Sequence, residues 1–175
     1  MSPELEHIRR QVAKLTDGWA EPDWHYAPAG RWTCGQILEH LFLTFNGTTE
    51  GVLNMMKTGR PLARKPTLPD RLRTFCVAKL GFMPRERVSP PHTLPKSGWE
   101  QDALPRFYDA LVALDATLDD AQRRFGGSAK VLQHPVLGPL SAQEWRRFHR
   151  THARHHLRQI AQLAEEASAR AAHKQ

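Results

Sequence analysis

The chain has 175 residues, with 25 Lys and Arg against 18 Asp and Glu, a formal net charge of +7 with histidine neutral. That length fits a single domain over residues 1–175 and leaves no room for a second catalytic module. The short apolar runs exclude a spanning helix. The acidic start lacks the apolar stretch of a secretory leader, and two cysteines, Cys34 and Cys76, cannot build a disulfide scaffold, so a cytoplasmic, reducing location is expected.

In chain order, Leu5, Ile8, Val12 and Leu15 recur at helical spacing, which predicts a helix over 4–17 that Asp17 and Gly18 end. Residues 18–32 hold Gly, Pro and the three tryptophans Trp19, Trp24 and Trp32, and read as a loop packed on the body. Thr33 and Gln36 form a capping box before a long helix to about Thr58, with Gly59 and Pro61 as its stop. A shorter basic helix is predicted over 68–81, carrying Leu68, Leu72, Phe75 and Leu80. Residues 82–98, with Pro84, Pro90, Pro91 and Pro95, read as a long irregular segment, a lid or a wrap over the body.

Leu104, Tyr108, Leu111, Leu114, Leu118, Ala121 and Phe125 predict a helix over 100–125 with an inward seam, terminated by Gly126 and Gly127. Residues 128–140 read as a connection. Ser141 and Glu144 make a second capping box, and the helix after it runs to about Ala169. Period-2 alternation is absent, so no strand is expected. Four main helices with one short extra helix predict an all-α, four-helix bundle.

Charge is concentrated in residues 57–87, where nine cations face two acids, a local balance of +7. Such a stretch suits nucleic acid or an acidic ligand, or is simply a solvated face. Among ten histidines, His149, His152, His155 and His156 fall close together. On a helical wheel His152 and His156 share the buried stripe with Trp145, Phe148 and Leu163, one turn apart, which is metal-ligand spacing. The alternative is two core histidines, each with its own hydrogen bond. A third ligand must come from another helix, and His40, inside the second long helix, is the candidate. The Glu of a metalloprotease HExxH is missing, since residue 153 is Ala.

The run Trp32-Thr-Cys-Gly-Gln-Ile-Leu-Glu-His40-Leu resembles the second-helix motif of the DinB/YfiT-like superfamily. The run from His134-Pro-Val-Leu-Gly-Pro-Leu to Trp145, followed by His152-Ala-Arg-His-His156-Leu-Arg-Gln159, is similar to a DinB-related subfamily of unknown function. The resemblance implies up-down-down-up connectivity, with residues 59–99 as the long crossover carrying the short extra helix. It implies a divalent-metal site of His40, His152 and His156, a homodimer, and activity as a hydrolase or a low-molecular-weight-thiol S-transferase on a small molecule.

Three neutral histidines leave the ion its full charge, so a water or thiol at an open position would be acidified. Histidine ligands suit Zn or Ni first, with Fe, Mn or Cu after them. His155 and His149 border the ligand face, as partners of the ligands or a general base, or as exposed or structural residues. Gln159 lies near the ligands, bonding a ligand or substrate, or packing. Cys34 sits in the first turn of its helix, where the dipole favours a thiolate, or is a small buried residue. Arg147, Arg150, Arg154 and Arg158 mark the solvent face. The competing functions are a non-catalytic metal-stabilised binding or stress-response module and, behind it, nucleic-acid binding through residues 57–87. No membrane partner is expected.

Overall fold

Leu5, Ile8 and Val12 stand one helical turn apart and are fully buried, so the first segment folds as α1 (Pro3–Leu15), laid along the last helix of the chain. The structure is a computed structural model that describes residues 1–62, 64–82, 89–96 and 103–172. Arg85 and Arg87 of the basic stretch, Pro84 of the irregular segment and residues 100–102 of the predicted helix over 100–125 lie outside the described residues.

The protein is predominantly helical. A short helix, α2 (Glu21–His25), interrupts the predicted loop over 18–32, its first turn closed by the Asp23 carboxylate on the Ala20 amide. The predicted capping box then starts α3 (Cys34–Lys57): the Gln36 amide donates to Thr33 Oγ1 at 3.2 Å, and the Thr33 amide to Gln36 Oε1 at 3.0 Å. This helix runs along α5 (Ala103–Phe125), with Phe45 against Phe107 at 5.6 Å between ring centroids. Both rings are fully buried, and each aliphatic side chain buried with them contributes roughly 1.5–3 kcal/mol.

Between α3 and α5 the chain forms α4 (Leu68–Thr74), which widens into a π-helical turn at Phe75–Lys79. A single 3-10 turn follows at Pro91–Thr93. The chain closes with α6 (Ala142–Ala172), opened by the second predicted capping box, in which the Ser141 amide donates to Glu144 Oε2 at 2.7 Å.

The expectation of no strand is corrected. The predicted connection over 128–140, with Ser141 after it, forms an antiparallel hairpin of β1 (Lys130–His134) and β2 (Gly138–Ser141), with Leu132 opposite Leu140 and His134 opposite Gly138. All four residues of β2 are buried, so neither face shows a polar phase, and the alternation that marks a half-exposed strand never develops. The His134 ring closes the turn, Nδ1 accepting from the Val136 and Leu137 amides at 3.1 Å each. The hairpin presses on α3 at Gly51, where an added Cβ would stand 2.8 Å from the Leu132 side chain. No helix among the described residues is long and apolar enough to cross a membrane.

Candidate metal centre

His40 lies in the second turn of α3, and His152 and His156 lie one turn apart on α6. The fold brings the three together, their nearest ring nitrogens all within 4.8 Å of one another. His152 Nε2 stands 3.2 Å from His40 Nε2 and 3.2 Å from His156 Nε2. His40 and His156 are buried and His152 is half-buried.

The other ring nitrogens fix the tautomers. His40 Nδ1 is 2.8 Å from the Thr93 carbonyl oxygen, which can only accept, so the proton sits on Nδ1. His156 Nδ1 is 2.8 Å from Gln159 Oε1 and donates in the same way. Burial holds all three rings neutral: it lowers His40 despite the opposing Thr93 bond, lowers His152 strongly, and pushes His156 down to about 3. A neutral ring protonated at Nδ1 has a bare lone pair at Nε2. Two such lone pairs therefore converge on His152 Nε2.

His152 cannot answer both. A proton on its Nε2 aims well at one neighbour and leaves Nδ1 bare, and that atom is buried without a hydrogen-bond partner. A proton on Nδ1 instead leaves three lone pairs facing one another. Either way the cluster is electron-rich and unsatisfied, at a cost of the order of 1–3 kcal/mol for each buried polar atom left unpaired. A divalent cation satisfies all three nitrogens at once. Tetrahedral ligands at about 2.0–2.1 Å stand roughly 3.3–3.4 Å apart, close to the 3.2 Å from His152 Nε2 to each of its two neighbours. The donor set and its outer hydrogen bonds thus fit a divalent ion.

Aromatic walls hold the rings. Trp32 stacks on His156 at 6.3 Å with 18° between planes and leans on His40 at 5.2 Å. Phe148 stacks on His152 at 5.6 Å, 7° from parallel. Trp32 directly precedes the Thr33 cap, the position from which an apolar residue folds back on its helix. That was the available signal for it. Nothing in the sequence marks the Thr93 carbonyl, which comes from the segment without periodicity.

The remaining candidates take different places. His155 is half-buried, its ring 5.1 Å from His156 and nearly perpendicular. His149 is fully buried among Phe45, Trp145 and Phe148, with Nε2 3.0 Å from Thr48 Oγ1 and Nδ1 unpartnered. Burial pushes it down to about 3. Gln159 orients His156, as above. For Cys34 the thiolate reading is corrected: burial pushes its thiol up to about 12, the opposite of activation, because desolvation outweighs the helix dipole. Arg150, Arg154 and Arg158 are exposed, and Arg147 is half-buried.

Sequence reasoning also missed a second polar cluster on α6. Arg146 is buried, its Nε 2.8 Å from Asp115 Oδ1 on α5, with Asp119 on the same guanidinium. The Ser2 amide donates to Asp115 Oδ2 at 2.6 Å. Burial works to raise the Asp115 carboxyl, but the Arg146 and Ser2 hydrogen bonds outweigh it and leave it below the usual carboxylate value.

The family described as "Protein of unknown function (DUF1569)" matches residues 3–163. No curated protein and no solved structure matches the chain.

Proposed function

The chain belongs to this family, and from that premise we propose a metal-dependent enzyme acting on a small molecule through His40, His152 and His156. The observation that carries the reading is the convergence of the three Nε2 atoms, two of them stripped of their proton by the bonds to the Thr93 carbonyl and Gln159. Those two contacts hold the rings with their lone pairs inward before any ion arrives. Zn or Ni leads among the candidate ions. Held by three neutral ligands, such an ion keeps its full charge and acidifies a water or thiol, the chemistry that a hydrolase or a low-molecular-weight-thiol S-transferase uses.

The chain's own residues supply the rest. Trp32 and Phe148 wall the site with apolar surface, which excludes water and strengthens the electrostatics inside. His155, half-buried beside His156, is the titratable group placed to exchange a proton with a bound substrate. His149 is locked on Thr48 and acts in packing. The likeness to the DinB/YfiT-like superfamily supports the same reading. It extends to the up-down-down-up arrangement of α1, α3, α5 and α6 as a four-helix bundle with residues 59–99 as crossover, to a homodimer and to a cytoplasmic location.

Elemental analysis of untagged protein prepared without chelator tests this, with His156→Ala beside the wild type. The expected result is about one divalent ion per chain, lost in the variant, with turnover in screens for amide or ester hydrolysis or for thiol transfer. No ion in either protein after added Zn or Ni would overturn it. An ion bound and lost as expected, with no turnover in any screen, would favour a non-catalytic metal-stabilised module.

A further inference from the structure

The segment Leu68–Phe82 is held to the protein by polar contacts together with Val77 and Ala78, the buried apolar residues of its π turn. Asp70 is buried and caps its own helix through Thr67, Thr74 Oγ1 donates to the Leu137 carbonyl at 3.2 Å, and Arg73 donates to the Val136 carbonyl at 3.2 Å. The π turn beyond is tied to α6, Thr151 Oγ1 donating to the Val77 carbonyl at 3.0 Å and Arg154 to the Gly81 carbonyl at 2.8 Å. The segment is therefore anchored, and its outward face is fixed.

That outward face is apolar. Leu68, Leu72, Phe75, Leu80 and Phe82 are between 51% and 81% exposed, and they make up five of the nine exposed large hydrophobic residues among those described. Interleaved with them and on the adjoining chain stand Lys57, Arg60, Lys65, Arg71 and Lys79, all exposed, while Arg64 and Arg73 pair with Asp70 at 3.5 and 3.8 Å. The one acid among the described residues of 57–82, Asp70, is buried.

We infer that this face docks on an anionic lipid surface, with Leu68, Leu72, Phe75, Leu80 and Phe82 entering the headgroup layer and the surrounding cations meeting lipid phosphates. A helix lying on a membrane needs this combination of an apolar stripe with Lys and Arg at its flanks. Charge argues against a second copy of the chain, because a two-fold interface would set the basic face against itself. Nucleic acid would leave the three leucines without an apolar partner. The stripe is also a ridge on a helix rather than a groove, which suits a deformable surface. That no helix among the described residues can span a membrane does not bear on it, since the contact lies on the bilayer and not across it. The expectation of no membrane partner rested on spanning alone, and the proposal departs from it.

Co-sedimentation of the full chain with vesicles tests the inference, using phosphatidylcholine alone or mixed equally with phosphatidylglycerol. The expected result is binding to the mixed vesicles only, weakening as salt rises. Arg71→Gln with Lys79→Gln should lower it about thirty-fold, and Leu72→Ser with Phe75→Ser at least about ten-fold. All four side chains are exposed, so circular dichroism and metal content should be unchanged in both variants. Failure of the wild type to bind mixed vesicles overturns the proposal. So does a wild-type dimer that Leu72→Ser with Phe75→Ser splits into monomers, which would assign the face to self-association. Retention of a DNA duplex that survives the Leu72 and Phe75 changes but not the Arg71 and Lys79 changes also overturns it.

Discussion

Two buried polar clusters sit on α6 less than two turns apart, and they are built on opposite principles. At Arg146 every charge has its counterpart within the chain: the guanidinium meets Asp115 and Asp119, and the second Asp115 oxygen takes the Ser2 amide. At His152 the groups are alike. Three neutral imidazoles turn the same kind of atom toward one point and leave it unanswered. A cluster that balances itself holds the fold together, whereas one that does not is, under the function proposed above, the one open to an ion. Burial is common to both, so what distinguishes them is the balance of donors and acceptors.

The sharpest way to break this contrast is Asp115→Ala. It leaves the buried guanidinium with Asp119 as its remaining carboxylate and should cost about 3 kcal/mol in denaturant unfolding, with the metal content of the folded fraction unchanged. Loss of the metal along with stability would show that the two clusters are one unit.

Gln159→Ala probes the other cluster without removing a ligand. It frees the His156 tautomer and should weaken metal binding about 10–100-fold in a competition titration, with unfolding of the metal-free protein shifted by about 1 kcal/mol. An unchanged affinity would reduce Gln159 to packing.

Acidity separates the clusters by a more gradual effect. The folded values of His149 and His156 are about 3 against an ordinary 6.5, so below 6.5 the unfolded chain takes up protons that the folded chain refuses. Stability of the metal-free protein is then fully present above 6.5 and falls as pH drops toward 3, by about 1.4 kcal/mol per pH unit for each such histidine. The Asp115 carboxyl is lowered from 3.8, so its contribution is lost only further into acid. A flat profile between pH 6.5 and 4 would contradict neutral buried histidines.

What was legible in the sequence follows the same division. The i, i+4 pair of His152 and His156 and the inward phase of α6 are periodic, and periodicity survives in a linear string. The two capping boxes are local and formed as read. Arg146 was illegible because it adjoins Arg147 in a run of arginines, and only the facing Asp115 on another helix separates it from them. The hairpin was hidden because β2 is buried on both faces. The Leu68, Leu72 and Phe75 spacing gave the helix but not its facing, since what fixes the facing is the hairpin turn receiving Thr74 and Arg73.

Adjacent residues of α3 grip one short stretch of chain. His40 donates to the Thr93 carbonyl, and Glu39 Oε1 accepts from the Lys96 amide at 3.0 Å. Whatever steadies the imidazole therefore steadies the strap, and whatever lifts the strap frees the imidazole. The solvent exchange of the Lys96 amide should slow when the histidine site is filled, making a peptide hydrogen outside the ligand set a clock for occupancy.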